Sequence, residues 1–181
     1  MNKIVVTGAT GFIGRRLVNS LALKSCDLRI FSRKYQEGFD TIICNLESDF
    51  TIGDAFTDVN AVFHLAGFAH DLRNAYKIEH YYRVVNVDAT VQLLELAADY
   101  GVERFIFVSS VKAGGLSIAG KSMTEEDCGV SESIYGQTKR EAELKVLEIG
   151  RQAGMHVSIV RPSLVYGPNV KGNLRMMFSA I

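Results

Sequence analysis

The chain has 181 residues, 48% of them hydrophobic, and its 20 basic residues balance 20 acidic ones. That length suits one domain with a sizeable core, and charge without a long run of either sign lacks the basic footprint of a nucleic-acid binder. No apolar stretch reaches membrane-spanning length, and neither the three scattered cysteines nor the four histidines have a disulfide or metal-ligand spacing. The expectation is a soluble cytoplasmic protein with Cys26, Cys44 and Cys128 reduced and with no metal, nucleic acid or membrane partner. Met1 to Thr7 runs straight into a β-like segment, without the basic and long apolar regions of a secretory leader.

In chain order, short β-branched runs at Lys3–Thr7, Leu28–Ser32, Thr41–Cys44, Ala61–Leu65, Arg104–Ser109 and His156–Arg161 predict six strands. Ile13, Leu17 and Leu21 fall at helical spacing after the first. Val87, Val91, Leu94 and Ala98 do so after the fourth, and Ala142, Val146 and Ile149 before the sixth. Helices are therefore expected around Val87–Tyr100 and Tyr135–Arg151. Runs such as Ile4-Val5-Val6 and Phe105-Ile106-Phe107-Val108 are apolar without alternation, as in strands buried on both faces. The expected fold is α/β: a Rossmann-type, doubly wound parallel sheet with helices on both faces. The Gly- and Ser-rich stretch Lys112–Ser133 reads as a long loop after the fifth strand, of the kind that is more often functional than accidental.

Between the first strand and first helix lies Thr7-Gly8-Ala9-Thr10-Gly11-Phe12-Ile13-Gly14, a G-x-x-G-x-x-G pattern where a dinucleotide pyrophosphate binds. Gly8 suits the tight turn off the strand, Gly11 the approach of backbone N–H groups to phosphate, and Gly14 close helix packing. The helix N-terminus then offers orphan donors and a positive dipole end to the anion. No Gly-Lys-Ser/Thr follows, which excludes a Walker loop.

This N-terminal pattern resembles the extended branch of the short-chain dehydrogenase/reductase superfamily. So do His64-Leu65-Ala66-Gly67, Asn86-Val87-Asp88-Ala89-Thr90 and Arg161-Pro162-Ser163-Leu164-Val165-Tyr166-Gly167-Pro168. The resemblance implies an NAD(P) cofactor touching Gly8, Thr10, Gly11, Phe12, Ile13, Gly14, Ser32, Arg33, Asn45, Leu46, Leu65, Ala66, Gly67, Ser109, Tyr135, Lys139 and Pro162. Ser32 stands at the end of the second strand and is followed by Arg33 and Lys34. No carboxylate is there to accept from the adenosine ribose, so the sequence leans toward NADP over NAD, with Arg33 facing a 2′-phosphate. Asn45 stands where relatives often have Asp, and its side-chain oxygen can still accept from the adenine amino group.

Tyr135 and Lys139 form Tyr-x-x-x-Lys, one turn apart if helical, and Ser110 ends the fifth strand 25 residues earlier. By resemblance Tyr135 is the acid/base, Lys139 holds the nicotinamide ribose, and Ser110 bonds the reacting oxygen. A free phenol has a pKa of about 10, so activity near neutrality requires a shift of roughly three units, about 4 kcal/mol, which nearby positive charge can supply. The phenolate then takes a sugar hydroxyl proton while the adjacent carbon passes hydride to the cofactor.

Val111-Lys112 replaces the Asp-Glu pair of the dehydratase branch, leaving a nucleoside-diphosphate-sugar 4-epimerase, with a 4-keto-sugar reductase as alternative. The stretches Phe63–His70 and Ser109–Lys112 look most like epimerases of polysaccharide biosynthesis and related reductases. A non-catalytic dinucleotide sensor or scaffold is the alternative of another class, but such proteins lose the tyrosine or lysine that this chain keeps. His70, Lys112 and Asn173 are the expected contacts to a UDP-linked sugar. The dinucleotide-binding domain is expected to span 1–168, with 169–181 opening a truncated substrate-binding portion. A homodimer through the two long helices is also expected.

Overall fold

The computed structural model describes residues 2–24, 26–48, 50–69, 75–115, 124–125 and 129–170; the side chains of 75–78 fall outside this description. Six strands form one wholly parallel sheet: β1 Lys3–Thr7, β2 Asp27–Ser32, β3 Asp40–Ile43, β4 Val59–His64, β5 Arg104–Val108 and β6 His156–Val160. Their order is β3-β2-β1-β4-β5-β6. The connections leaving β1 and β4 therefore run in opposite directions, and the crevice beyond their C-terminal ends is the topological switch point of a doubly wound sheet.

Helix α1 (Gly14–Ala22) follows β1. Helices α2 (Ala75–Arg83) and α3 (Ala89–Asp99) are joined through a π-helical turn at Val84–Asp88, and α4 (Ile134–Gln152) precedes β6. The sheet has a core on each face. Leu17, Val18 and Leu21 of α1 pack with Ile4, Val6, Leu28 and Ile30. On the other face Val5, Phe31, Val62, Phe105 and Phe107 meet Leu93, Leu94 and Ala97 of α3 and Ala142 and Val146 of α4. Phe105 and Phe107 are fully buried, each burial worth roughly 1.5–3 kcal/mol. The apolar runs in the strands thus supply both layers at once.

All six expected strands form, each within two residues of its expected ends. The long helix before β5 starts earlier than the periodicity indicates, at Ala75, because its first turns carry polar and aromatic residues rather than an apolar stripe. Ser133 starts α4, its hydroxyl accepting from the Gly136 N–H at 3.1 Å. The Ala142–Val146–Ile149 stripe, which could have served a dimer, packs into the intrachain core. Among the described residues no helix is long and apolar enough to cross a membrane. Cys26 and Cys44 are free thiols, burial pushing that of Cys44 up to about 11.

Candidate functional site

The turn after β1 is built for glycine. Gly8 has φ +68°, and a Cβ there would lie 2.6 Å from the Ala66 nitrogen and 2.7 Å from the Leu65 carbonyl carbon, so only a bare backbone lets the loop after β4 pass. The Gly11 N–H donates to the Gly8 carbonyl at 2.9 Å. No side chain caps α1; its first turn is closed by backbone, the Arg15 N–H donating to the Gly11 carbonyl at 3.2 Å and the Arg16 and Leu17 N–H groups to the Ile13 carbonyl at 3.0 and 3.1 Å.

A cleft of about 780 Å³ opens at this turn. Ten of the expected cofactor residues line it: Gly8, Thr10 and Gly11 at the turn, Ser32, Arg33, Asn45 and Leu46 at one end, and Leu65, Ala66 and Gly67 at the other. Phe12, Ile13, Gly14, Ser109, Tyr135, Lys139 and Pro162 are not among its lining residues. Phe12 stacks under the Arg16 guanidinium, 4.1 Å from its ring centroid, and Arg16 also donates to the Pro168 carbonyl at 2.6 Å. This ties the segment after β6 to the glycine turn. The cleft suits a dinucleotide in that it joins a glycine turn at the C-terminal end of β1 to two cations, Arg33 and Lys34, in its wall.

Ser110, Tyr135 and Lys139 gather at the end marked by Gly67. The Ser110 hydroxyl lies near enough to the Tyr135 phenol to pull its pKa down, while Ser110 also caps the 3₁₀ turn Val111–Gly114 by accepting from the Lys112 N–H at 3.3 Å. Burial raises the Tyr135 pKa; Ser110 pulls it down, and Tyr82, whose ring lies 6.3 Å away, adds to the rise. Lys139 is 2% exposed, with Nζ 4.0 Å from the Phe107 ring centroid. A Cβ on Gly67 would stand 3.8 Å from that Nζ, so the ammonium borders the cleft wall. Burial pushes the Lys139 ammonium down to about 7, against the pull of Glu143.

A second layer of buried polar groups holds this cluster. Glu143, one helical turn beyond Lys139, accepts two hydrogen bonds from Arg161 at 2.8 and 2.7 Å and one from Arg140 at 3.1 Å. Burial pushes its carboxyl up, but Arg161, Ser109 and Arg140 hold the net value below the usual range. The Ser109 hydroxyl is near enough to Glu143 for that influence but makes no hydrogen bond of sound geometry, and it faces the Glu143 side rather than the cleft. The Pro162 carbonyl accepts from the Val111 N–H at 3.2 Å, bracing the Ser110 turn. His64 is fully buried between Thr7 (2.7 Å) and Thr90 (2.9 Å). Because Thr90 donates to the Asn86 carbonyl and Thr7 accepts from the Ala66 N–H, the consistent arrangement is a neutral ring with its proton on Nε2. Burial first, and Lys139 second, push its pKa down to about 3. Asn86, in the π turn, clasps the Phe68 N–H at 2.7 Å and carbonyl at 3.1 Å, fixing the loop beyond Gly67.

The model for the NAD-dependent epimerase/dehydratase family matches residues 4–181. The chain belongs to that family. A relative from Vibrio cholerae, a UDP-glucose 4-epimerase, is 36% identical over 98% of this chain and 56% of its own length. A 3 beta-hydroxysteroid dehydrogenase/Delta 5→4-isomerase of Mycobacterium tuberculosis is 29% identical over the whole chain and 52% of its own. Among solved structures, MoeE5 in complex with UDP-glucuronic acid and NAD has a TM-score of 0.83 at 30% identity, covering 95% of this chain and 58% of that one. The chain thus spans little more than half the length of the relatives it matches. The Rossmann-type fold and a nicotinamide-dinucleotide-using family follow from these matches.

Among the other expected contacts, Lys112 has an exposed side chain, and its carbonyl lies against Gly136 at the start of α4. His70 and Asn173 lie outside the described residues, as does Cys128. Sequence reasoning missed Glu143, though Lys139-x-x-x-Glu143 repeats the one-turn spacing of Tyr135 and Lys139. It also missed Glu47, which lines the cleft beside Arg33, because nothing in the pattern of β3 shows where its following loop goes.

Proposed function

We propose that this chain is the dinucleotide-binding part of a nucleoside-diphosphate-sugar 4-epimerase acting on a UDP-linked sugar, with Tyr135 as acid/base. The observation that carries the reading is the approach of Lys139, one helical turn from Tyr135, to the Gly67 wall of the cleft, with Ser110 beside Tyr135. When bound there, a nicotinamide supplies reversible oxidation at the sugar C4. Tyr135 exchanges the proton of the reacting hydroxyl, Ser110 bonds the same oxygen, and Lys139 holds ribose hydroxyls while lending positive charge to the phenolate. With burial raising its pKa, Tyr135 is a phenol at neutral pH until positive charge is brought beside it.

The domain reading keeps 1–168 as the cofactor domain, with 169–181 opening a substrate portion that carries Asn173. Arg33 and Lys34 taken alone favour an NADP-dependent 4-keto-sugar reductase as the second reading, and the Glu47 carboxylate 3.2 Å from Arg33 weighs against it. The retained trio weighs against a sensor. Leu144 and Leu147, exposed on α4, suit the homodimer better than the buried stripe does.

The test is turnover of UDP-glucose and UDP-N-acetylglucosamine by the full-length protein and by Tyr135→Phe. Epimerisation by the wild type, reduced at least about 100-fold in the variant with cofactor affinity within threefold, supports the reading. Equal turnover in the variant overturns the role of Tyr135. Firm cofactor binding without conversion of any sugar nucleotide favours the sensor.

A further inference from the structure

Beyond the expected motifs, the adenosine end of the cleft contains a carboxylate supplied by the neighbouring strand's loop. We propose that Glu47, by holding Arg33 in an ion pair across this end, makes the cleft select an adenosine 2′-hydroxyl over a 2′-phosphate, and hence NAD over NADP. The proposal rests on the reading of the cleft as a dinucleotide site.

The placement follows from the sheet. Strands β2 and β3 pair in parallel with Ser32 opposite Ile43, and the Cys44 N–H donates to the Ser32 carbonyl at 2.9 Å. This carries the loop after β3 alongside the Ser32-Arg33-Lys34 step. The Asn45 side-chain oxygen accepts from the Glu47 N–H at 3.2 Å, an Asx turn that fixes where Glu47 leaves the backbone. That oxygen keeps a second lone pair with which to accept from an adenine amino group. Glu47 Oε1 then lies 3.2 Å from Arg33 Nη1, and both residues line the cleft.

An adenosine ribose at this end meets two cations, Arg33 and Lys34, and one carboxylate. A 2′-phosphate brings close to two negative charges. To bind, it has to draw Arg33 away from Glu47 and then face that carboxylate, so part of the attraction of the cations is cancelled by like-charge repulsion. A 2′-hydroxyl brings no charge, leaves the pair intact and can donate to the second carboxylate oxygen. Glu47 thus does from the β3 loop what a carboxylate at the end of β2 does in NAD-selecting Rossmann sites. The Arg33 side chain is 73% exposed and that of Glu47 37%, so the pair adds little to folding stability and is free to act on selectivity.

The experiment is calorimetric titration of NAD and NADP into the wild-type chain, Glu47→Gln and Glu47→Gln/Arg33→Ala. The wild type is expected to bind NAD more tightly, Glu47→Gln to move the Kd ratio toward NADP by about tenfold, and the double variant to lose that gain. A wild type that prefers NADP, or a ratio unchanged in Glu47→Gln while both cofactors still bind, overturns the proposal. Binding of neither cofactor by the wild type overturns the dinucleotide reading of the cleft, and the proposal with it.

Discussion

At the Arg33 end of the cleft the lining groups include exposed side chains such as Arg33 and Glu47; behind the Gly67 end the groups are buried, charged and interlocked. The first end rests on side chains that stay largely in water, the Arg33 side chain being 73% exposed. The second takes an ammonium, a carboxylate and an imidazole out of water, and each is held by named partners: Lys139 by Phe107, Glu143 by Arg161 and Arg140, His64 by Thr7 and Thr90. Changes at the first end should alter which ligand binds at little cost to folding. At the second, folding stability and chemistry are coupled, because the same buried charges serve both.

The sharpest way to break this contrast is Glu143→Ala. It removes the bidentate partner of the largely buried Arg161, and breaking such a pair typically costs about 3–5 kcal/mol; urea unfolding should show a loss of that size, against less than about 0.5 kcal/mol for Glu47→Gln. Similar losses in both variants would erase the distinction between the two ends.

His64 should set the acid limit of stability. Its folded pKa is about 3 against an ordinary 6.5. Between those values the unfolded chain binds a proton that folded His64 refuses, so the stabilisation from the neutral ring is complete above about pH 6.5 and is lost as pH falls toward 3. A loss of a few kcal/mol is expected over that window. Urea unfolding across the same pH range should give a shallower slope for His64→Asn, and parallel slopes would contradict the assignment.

Lys139 should act in the opposite pH range. Its folded pKa of about 7 lies below the ordinary 10.5. From pH 7 to 10.5 the unfolded chain holds a proton that the folded chain releases, so stability rises with pH; below 7 the ammonium is charged in both states and its burial is fully unfavourable. Lys139→Met is therefore expected to be more stable than the wild type at pH 6, by about 1–3 kcal/mol, with the gap closing toward pH 10 while cofactor affinity falls. A variant less stable at pH 6, or a gap that does not close, would show that the lysine is retained for packing.

The contrast also explains what the sequence revealed. The strands were legible because a doubly buried strand is apolar throughout, as at Phe105–Val108, and the glycine turn because its requirements fall on consecutive residues. Ser110, Tyr135 and Lys139 were singled out because the family resemblance added Ser110 to a Tyr-x-x-x-Lys spacing that is weak alone, and the structure sets Ser110 just past β5 and beside Tyr135. Arg161 was read as part of a motif but not as the partner of Glu143, because a separation of 18 positions hides a contact made only when β6 returns beside α4. Glu47 was hidden similarly, its importance depending on the β2–β3 register rather than on its neighbours in sequence. The start of α2 was hidden because its first turns have no apolar period.

The central claim, that the glycine turn binds a dinucleotide's phosphates, is most directly tested by titrating NAD into the wild-type chain and Gly11→Val. Gly11 is exposed and its φ lies outside the left-handed region, while a Cβ there would press to 3.0 Å on the Gly8 carbonyl oxygen, which has to give by a few tenths of an ångström; the variant's side chain occupies the phosphate approach, and an unchanged urea midpoint checks that it folds. The account predicts saturable one-to-one binding by the wild type, weakened at least about tenfold in the variant, a change of ~1.4 kcal/mol. Equal affinity in the two proteins, or no binding by the wild type, would contradict it.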